Sequence, residues 1–263
     1  MRLASFNVLH GRSLADGEVS TSRLAGACAT LAADVLGLQE IDRGQHRSGG
    51  VDQTAAVAEA TGAVAWRFEP ALIGEPGAAW RAAVDGDHHG PPVDGGGPAQ
   101  AGYGVGIVSR LPVRAWHVVR LRAARVRAPV YVPGRRGGLI LLPDEPRVAL
   151  AAEVDGPSGP LVVASTHLSF VPGWNVVQLR RVTRALAALG LPCVLLGDFN
   201  MPGGIPAWTT GWRALAKVRT FPAAKPSMQI DHALGHGHLP EVGAGSAVEL
   251  ALSDHRALVV DFI

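Results

Sequence analysis

The feature that most constrains this chain is a succession of short apolar runs, each breaking off at a polar residue. Arg2 to Leu9, Val35 to Gln39, Gly104 to Ser109, Val113 to Leu121, Gly138 to Leu142, Arg147 to Val154, Leu161 to Thr166, Cys193 to Gly197 and Ala257 to Phe262 are of this kind, with a weaker run from Met228 to Leu234. Runs of that length bounded by turn residues read as strands. Apolar residues recur at helical spacing in Ser22 to Ala33 and in Asn175 to Leu189. In the latter, Leu179, Val182, Leu186 and Leu189 form one stripe, with Arg180, Arg181 and Arg184 turned outward. A further helix is expected from Val51 to Thr61, stopped by Gly62. Many strands interleaved with few helices predict an α/β (α+β) chain in which two mostly antiparallel β-sheets pack together beneath covering helices. With 48% hydrophobic residues, the 263-residue chain has enough apolar surface for one large core, and a single domain over 1–263 is expected.

The ends of the strands carry the chemistry. Leu195-Leu196-Gly197-Asp198-Phe199-Asn200 closes a buried run with a carboxylate and an amide two residues apart. On extended backbone the two face the same way, and together they can hold a water or metal and donate to a phosphate oxygen. The competing reading is an Asp-x-Asn turn that ends the strand. Glu40 leaves the end of another apolar run and offers a hard oxygen ligand suited to Mg²⁺. His167 in STHLS stands where an imidazole can donate to phosphate or protonate a leaving oxygen. Asp231 in QIDH and the pair Asp254 and His255 in SDHR supply a histidine with an acidic partner. On extended backbone Asp254 and His255 point apart, with Asp254 toward a metal or His167 and His255 toward water. Asn7 ends the first strand, placed to orient Glu40, a metal water or the phosphate.

Taken in order, FNVLHG, LQEID, YGVGIVSR, STHLS, LLGDFN, QIDHAL and SDHRAL resemble the endonuclease/exonuclease/phosphatase superfamily of DNase I-like phosphoesterases, over residues 3 to 262. The resemblance implies a four-layered α/β/β/α sandwich with the site at one end of the sheets. It implies a divalent-metal-dependent hydrolase, a phosphodiesterase or phosphatase that attacks phosphorus in line with an activated water. The cofactor would be Mg²⁺, with Mn²⁺ as a substitute. Glu40, Asn7 and Asp254 would then serve the metal, Asp198 and His255 would activate water, and Asp231 would orient His255. Asn200 and His167, with Asn7, would bind the phosphate. Abasic-site endonucleases of this superfamily carry an Asp where this chain has Leu9 and a Tyr where it has His167, which argues against abasic-site repair. A nonspecific nuclease and a catalytically silent phosphate-binding module are the alternatives.

The resemblance implies a phosphoester substrate as partner: a small molecule, a lipid head group or nucleic acid. The net charge of +2 does not demand a polyanion. Arg120, Arg122, Arg125, Arg127, Arg135, Arg136 and Arg147 can form a basic face, but Tyr131 is the sole aromatic among them, so stacking on single strands is not expected. Arginine far outnumbers lysine, since Lys217 and Lys225 are the only lysines; a GC-rich genome gives the same bias. Cys28 and Cys193 are expected as reduced core residues, not as a disulfide or metal site. His88, His89, His236 and His238 lie in Gly-rich loops without a third ligand and are expected to be exposed. Pro70 to Gly102 is expected to be a long surface excursion. With no secretion signal and no transmembrane run, a cytoplasmic protein is the default.

Overall fold

The computed structural model describes residues 1–91, 100–132, 138–156 and 158–263, with backbone alone at 128–132 and 139–140. One sheet carries, in spatial order, β14 (Ser246–Val248), β15 (Ala257–Asp261), β1 (Arg2–Asn7), β2 (Val35–Arg43), β5 (Gly102–Ser109), β3 (Ala65–Gly74) and β4 (Trp80–Ala82). The second carries β12 (Arg213–Ala214), β13 (Asp231–His236), β11 (Cys193–Asp198), β10 (Gly159–His167), β9 (Arg147–Gly156) and β6 (Val113–Leu121). A separate two-stranded ribbon pairs β7 (Arg127–Val132) with β8 (Gly138–Pro143). The neighbours are antiparallel except β1 with β2 and β10 with β11.

Alternation along the strands builds the layers. Leu3, Val35, Val105 and Ile107 of the first sheet meet Val148, Leu150, Val163, Val194 and Leu196 of the second in one buried cluster. The opposite face of the first sheet, with Ala4, Phe6, Leu36 and Leu38, packs on Leu24 and Cys28 of α1 (Thr21–Thr30) and Val57 of α2 (Gln53–Thr61). The outer face of the second, with Val162, Ala164 and Leu195, receives Leu179, Val182 and Leu186 of α3 (Trp174–Ala187). The result is the α/β/β/α sandwich. Local sequence sets the helix ends: the Ser20 and Asp52 side chains accept from the backbone N–H groups of Arg23 and Ala55, and Gly62 closes α2 at φ 65°. A short helix, α4 (Ile205–Thr210), follows the strand that ends at Asp198.

The sheets are also joined by polar groups. The Gln39 amide donates to Ser165 Oγ at 2.9 Å and to Ser5 Oγ at 3.1 Å, all three groups fully buried. Gly37 lies opposite Ser165 so closely that a Cβ there would fall 2.9 Å from the serine side chain. This seam runs two residues below Asn7 on β1 and two below His167 on β10, so it sets the relative height of both.

Some expectations are corrected. Pro70 to Gly102 is not one long excursion, because β3 runs on through Pro70 to Gly74 and β4 pairs with it. Pro70 is tolerated inside a strand because the ladder with β5 shifts register between Pro70 and Leu72, where the absent N–H is not required. Residues 92–99 of that stretch lie outside the described residues, as do Arg135 and Arg136. The run Met228 to Leu234 becomes a strand only from Asp231, and β7 joins β8 as a ribbon. Cys28 and Cys193 are free and buried, as expected.

Candidate active site

The two parallel pairs, β1 with β2 and β10 with β11, end on the same side of the sandwich and deliver the polar residues there. Asn7 is level with Gln39, while His167, Asp198 and Asp231 are register partners on three successive strands. The row of imidazole and two carboxylates is thus a product of strand register.

Two backbone devices aim the carboxylates. The ladder between β2 and β5 shifts between Gln39 and Ile41, and Glu40 is the extra residue, at φ 54°. A bulge at a non-glycine with positive φ is strained and turns a side chain away from its alternating position. Here it brings the Glu40 carboxylate to Asn7, whose Nδ2 donates to Glu40 Oε1 at 3.0 Å. Beside Asp198, Gly197 has φ 147°, and a Cβ there would fall 1.9 Å from the Thr166 carbonyl oxygen. Only glycine fits that approach of β11 to β10.

Asp198 is the hub. Its Oδ2 accepts from Asn7 Nδ2 at 3.1 Å and lies 3.6 Å from Nε2 of both His167 and His255, while Oδ1 accepts from the Asn200 N–H at 2.9 Å. His255 Nδ1 faces Asp231 Oδ2 at 2.9 Å, and the Thr220 hydroxyl donates to the same oxygen. Asp231 Oδ1 is buried without a partner among the described residues. His167 Nε2 lies 3.1 Å from Asn200 Nδ2, and its Nδ1 is 3.4 Å from Arg147 and 3.8 Å from Glu40.

Electrostatics follow from this geometry. Burial pushes the Asp198 carboxyl up to about 7, with Asp231 adding to the rise and His255 opposing it. Burial alone would lower the His255 imidazole, but Asp231 and Asp198 outweigh it and hold it at about 10. Burial raises Glu40, and burial with the Arg147 charge keeps His167 neutral, well below its ordinary range. The site therefore pairs a proton-holding His255 with a carboxylate poised near neutrality, and a neutral His167.

All eight residues expected from the sequence reach this end of the sandwich, but some stand differently. Asn200 does not continue the extended backbone of Asp198: the strand stops at Asp198 and Asn200 has φ 50°, as an Asp-x-Asn turn requires. That turn brings Asn200 Nδ2 to 3.1 Å from His167 Nε2. Asp254 and His255 do not point apart either, because Ser253, at φ 65°, starts a bend that leaves Asp254 Oδ1 4.0 Å from His255 Nε2. Asn7 turns its Nδ2 to the carboxylates, and its oxygen is taken by the Leu9 N–H at 3.2 Å, so it offers the site a donor and not a ligand oxygen. His89 is not exposed but pairs with Asp52 at 2.8 Å, while His88, His236 and His238 are exposed.

The sequence reading passed over several supporting residues. Ser253 Oγ donates to the Asn7 carbonyl at 2.7 Å and accepts the His255 N–H at 3.1 Å, tying the last segment to the first strand. Its place two before His255 was a usable signal, as was Arg147 opening a core strand. Thr220 had none, because only the fold brings it to Asp231.

For a metal, the donor set is rich in oxygen. Asp198, Asp231 and His255 offer ligand atoms within 4.8 Å of one another. With Glu40 and Asp254 near, the pocket gathers more carboxylates than its histidines neutralise, and the free Asp231 oxygen leaves a ligand to spare. Such a set fits a hard divalent cation.

No curated protein sequence matches the chain. Solved structures share its fold. An endonuclease/exonuclease/phosphatase from Beutenbergia cavernae superposes with TM-score 0.61 at 23% identity, covering 99% of this chain and 70% of the other. Beta toxin from Staphylococcus aureus with bound magnesium ions gives 0.63 at 11% identity, covering 100% and 99%. The mannosyl-6-phosphatase of Bacteroides thetaiotaomicron gives 0.58 at 16% identity, also covering 100% and 99%. The model of the Endonuclease/Exonuclease/phosphatase family matches residues 4–255. The match takes in every site residue from Asn7 to His255, and the chain belongs to that family.

Proposed function

We propose that this protein is a Mg²⁺-dependent hydrolase of phosphoester bonds, most naturally diesters, acting by direct attack of water. The observation that carries the reading is Asp198 Oδ2, held by Asn7 and standing 3.6 Å from two imidazoles, one backed by Asp231. A carboxyl near neutrality is matched to taking a proton from water, and the charged His255 beside it stabilises negative charge as it builds. Asp231 and Thr220 hold His255 in orientation. Asn200 and neutral His167 are the donors for the phosphate oxygens. When bound, the cation would be held by Glu40 with Asp198, Asp231 and Asp254 near, and would polarise a phosphoryl oxygen. Both sheets contribute to this centre, so residues 1–263 act as one catalytic domain in this reading.

The test is a broad panel of chromogenic and natural phosphoesters with Mg²⁺ or Mn²⁺ and with EDTA. Metal-dependent turnover of at least one class is expected, and silence across the panel overturns the proposal. A second reading, a nonspecific nuclease, is favoured by Arg122, Arg125 and Arg127, which are exposed on one stretch. Plasmid digestion that weakens steeply with salt would select it.

A further inference from the structure

A cavity of about 220 Å³ adjoins the candidate active site on the side of Arg147 and is lined by four arginines: Arg120, Arg122, Arg147 and Arg181. Alanines, Leu121 and Pro146 complete its wall. Arg120 is already neutralised, by Glu69 at 2.7 Å and Asp85 at 3.0 Å. The other three have no carboxylate within 4.0 Å among the described residues.

Arg147 is the decisive one. It is 7% exposed, its Nε is buried without a hydrogen-bond partner, and its one side-chain hydrogen bond among the described residues is with His167 Nδ1 at 3.4 Å. Burying a guanidinium costs several kcal/mol unless it is paired and hydrogen-bonded. Glu145, Asp144 and Glu40 act on it only from a distance, since none of their carboxylates comes within 4.0 Å. A guanidinium kept buried and unpaired, with two more facing the same space, is complementary to an anion.

The size and lining say what kind. The cavity is smaller than the roughly 300–1,000 Å³ of sites for drug-sized ligands. No aromatic ring lines it, so it offers no stacking platform for a base. It suits a compact anionic group.

We propose that this cavity is a second anion subsite, in which Arg147, Arg122 and Arg181 bind a phosphate or carboxylate carried by the substrate next to the scissile phosphoester. The proposal rests on reading the adjoining centre as the phosphoester site, and it narrows the substrate to compounds with at least two neighbouring anionic groups. Arg147 then joins both halves of the substrate site, meeting His167 through Nη1 and lining the cavity.

The test is calorimetric titration of the Asp198→Asn protein, which prevents turnover, with Mg²⁺ present and three probes. Glycerol 3-phosphate carries one anionic group, 3-phosphoglycerate adds a carboxylate and 2,3-bisphosphoglycerate adds a second phosphate. The expected result is tenfold or tighter binding of one or both doubly anionic probes over glycerol 3-phosphate, and the better of the two identifies the second group. Adding Arg122→Ala with Arg181→Ala should remove that preference. The charge-matched pair Arg180→Ala with Arg184→Ala, exposed on α3 outside the cavity, should preserve it. Equal binding of all three probes, no binding of any, or a preference that survives the first pair or is lost equally with the second, overturns the subsite. Absence of turnover by the unmodified protein on the phosphoester panel, with the binding preference intact, would instead overturn the catalytic reading alone.

Discussion

The Gln39 amide reaches from one sheet to the other and donates to Ser165 at 2.9 Å, directly beneath the strand ends that carry Asn7 and His167. A buried polar bond in an otherwise apolar interface fixes how far one sheet can slide over the other, because any slip leaves its partners unpaired. The geometry of the candidate site therefore inherits its precision from a group buried between the sheets.

Replacing Gln39 with Leu should strand the Ser5 and Ser165 hydroxyls, at a cost of about 1–3 kcal/mol for each buried unpaired group. Urea denaturation measures it. A loss within experimental error would show that the seam is not what registers the sheets.

Asp198→Asn and His255→Ala should each lower kcat by roughly 10²–10⁴-fold, the usual contribution of acid–base groups, while circular dichroism and unfolding midpoints stay near those of the unmodified protein. Near-normal turnover of either variant would remove that residue from the mechanism.

Asn7 should behave as a partner of the metal ligands. Asn7→Ala is expected to raise the Mg²⁺ concentration needed for half-maximal rate by roughly 10–100-fold, the range for groups that orient ligands. Rates that ignore Mg²⁺ and EDTA in both proteins would contradict a metal role.

His255 ties stability to pH. Its folded pKa, about 10, lies above its ordinary value of 6.5, so its contribution is complete below about 6.5 and is lost as pH rises through 10. Asp198, raised to about 7, acts in the same sense at lower pH. In metal-free buffer the melting temperature should fall between pH 7 and 10. Asp231→Asn, which removes the charge beside His255, should flatten that fall; an identical slope in both proteins would argue against the pairing.

Gly197→Ala should be among the most damaging small substitutions, because a methyl group there meets the Thr166 carbonyl at 1.9 Å. Loss of soluble folded protein, or destabilisation of several kcal/mol, is expected by analogy with other forced conformations, which cost about 1–3 kcal/mol before any clash. Calorimetry decides it.

Much of this was legible from residues. The apolar runs marked β1, β2 and β11 as buried strands with Asn7, Asp198 and, on β10, His167 at their ends, and the family resemblance implied that these ends meet at one rim. What alternation could not reveal was any departure from it. Glu40 reaches the site through a bulge set by the pairing of β2 with β5, Asn200 through a left-handed turn and Asp254 through a bend. Thr220 was hidden for a related reason, since a threonine gains meaning only from what it faces across the fold. Pro70 misled because its usual role is to end strands, whereas here a register shift absorbs it.

The pairing of Arg2 with Asp261, between β1 and β15 of the first sheet, has a bearing on biogenesis. Contacts between such remote positions are slow to form, since a long loop must close before they are rewarded. His255 and Ser253 arrive with that same closing step. A nascent or nicked polypeptide that has not yet paired β15 with β1 holds Asn7 and Glu40 without His255, and in the proposed mechanism it would lack hydrolytic power.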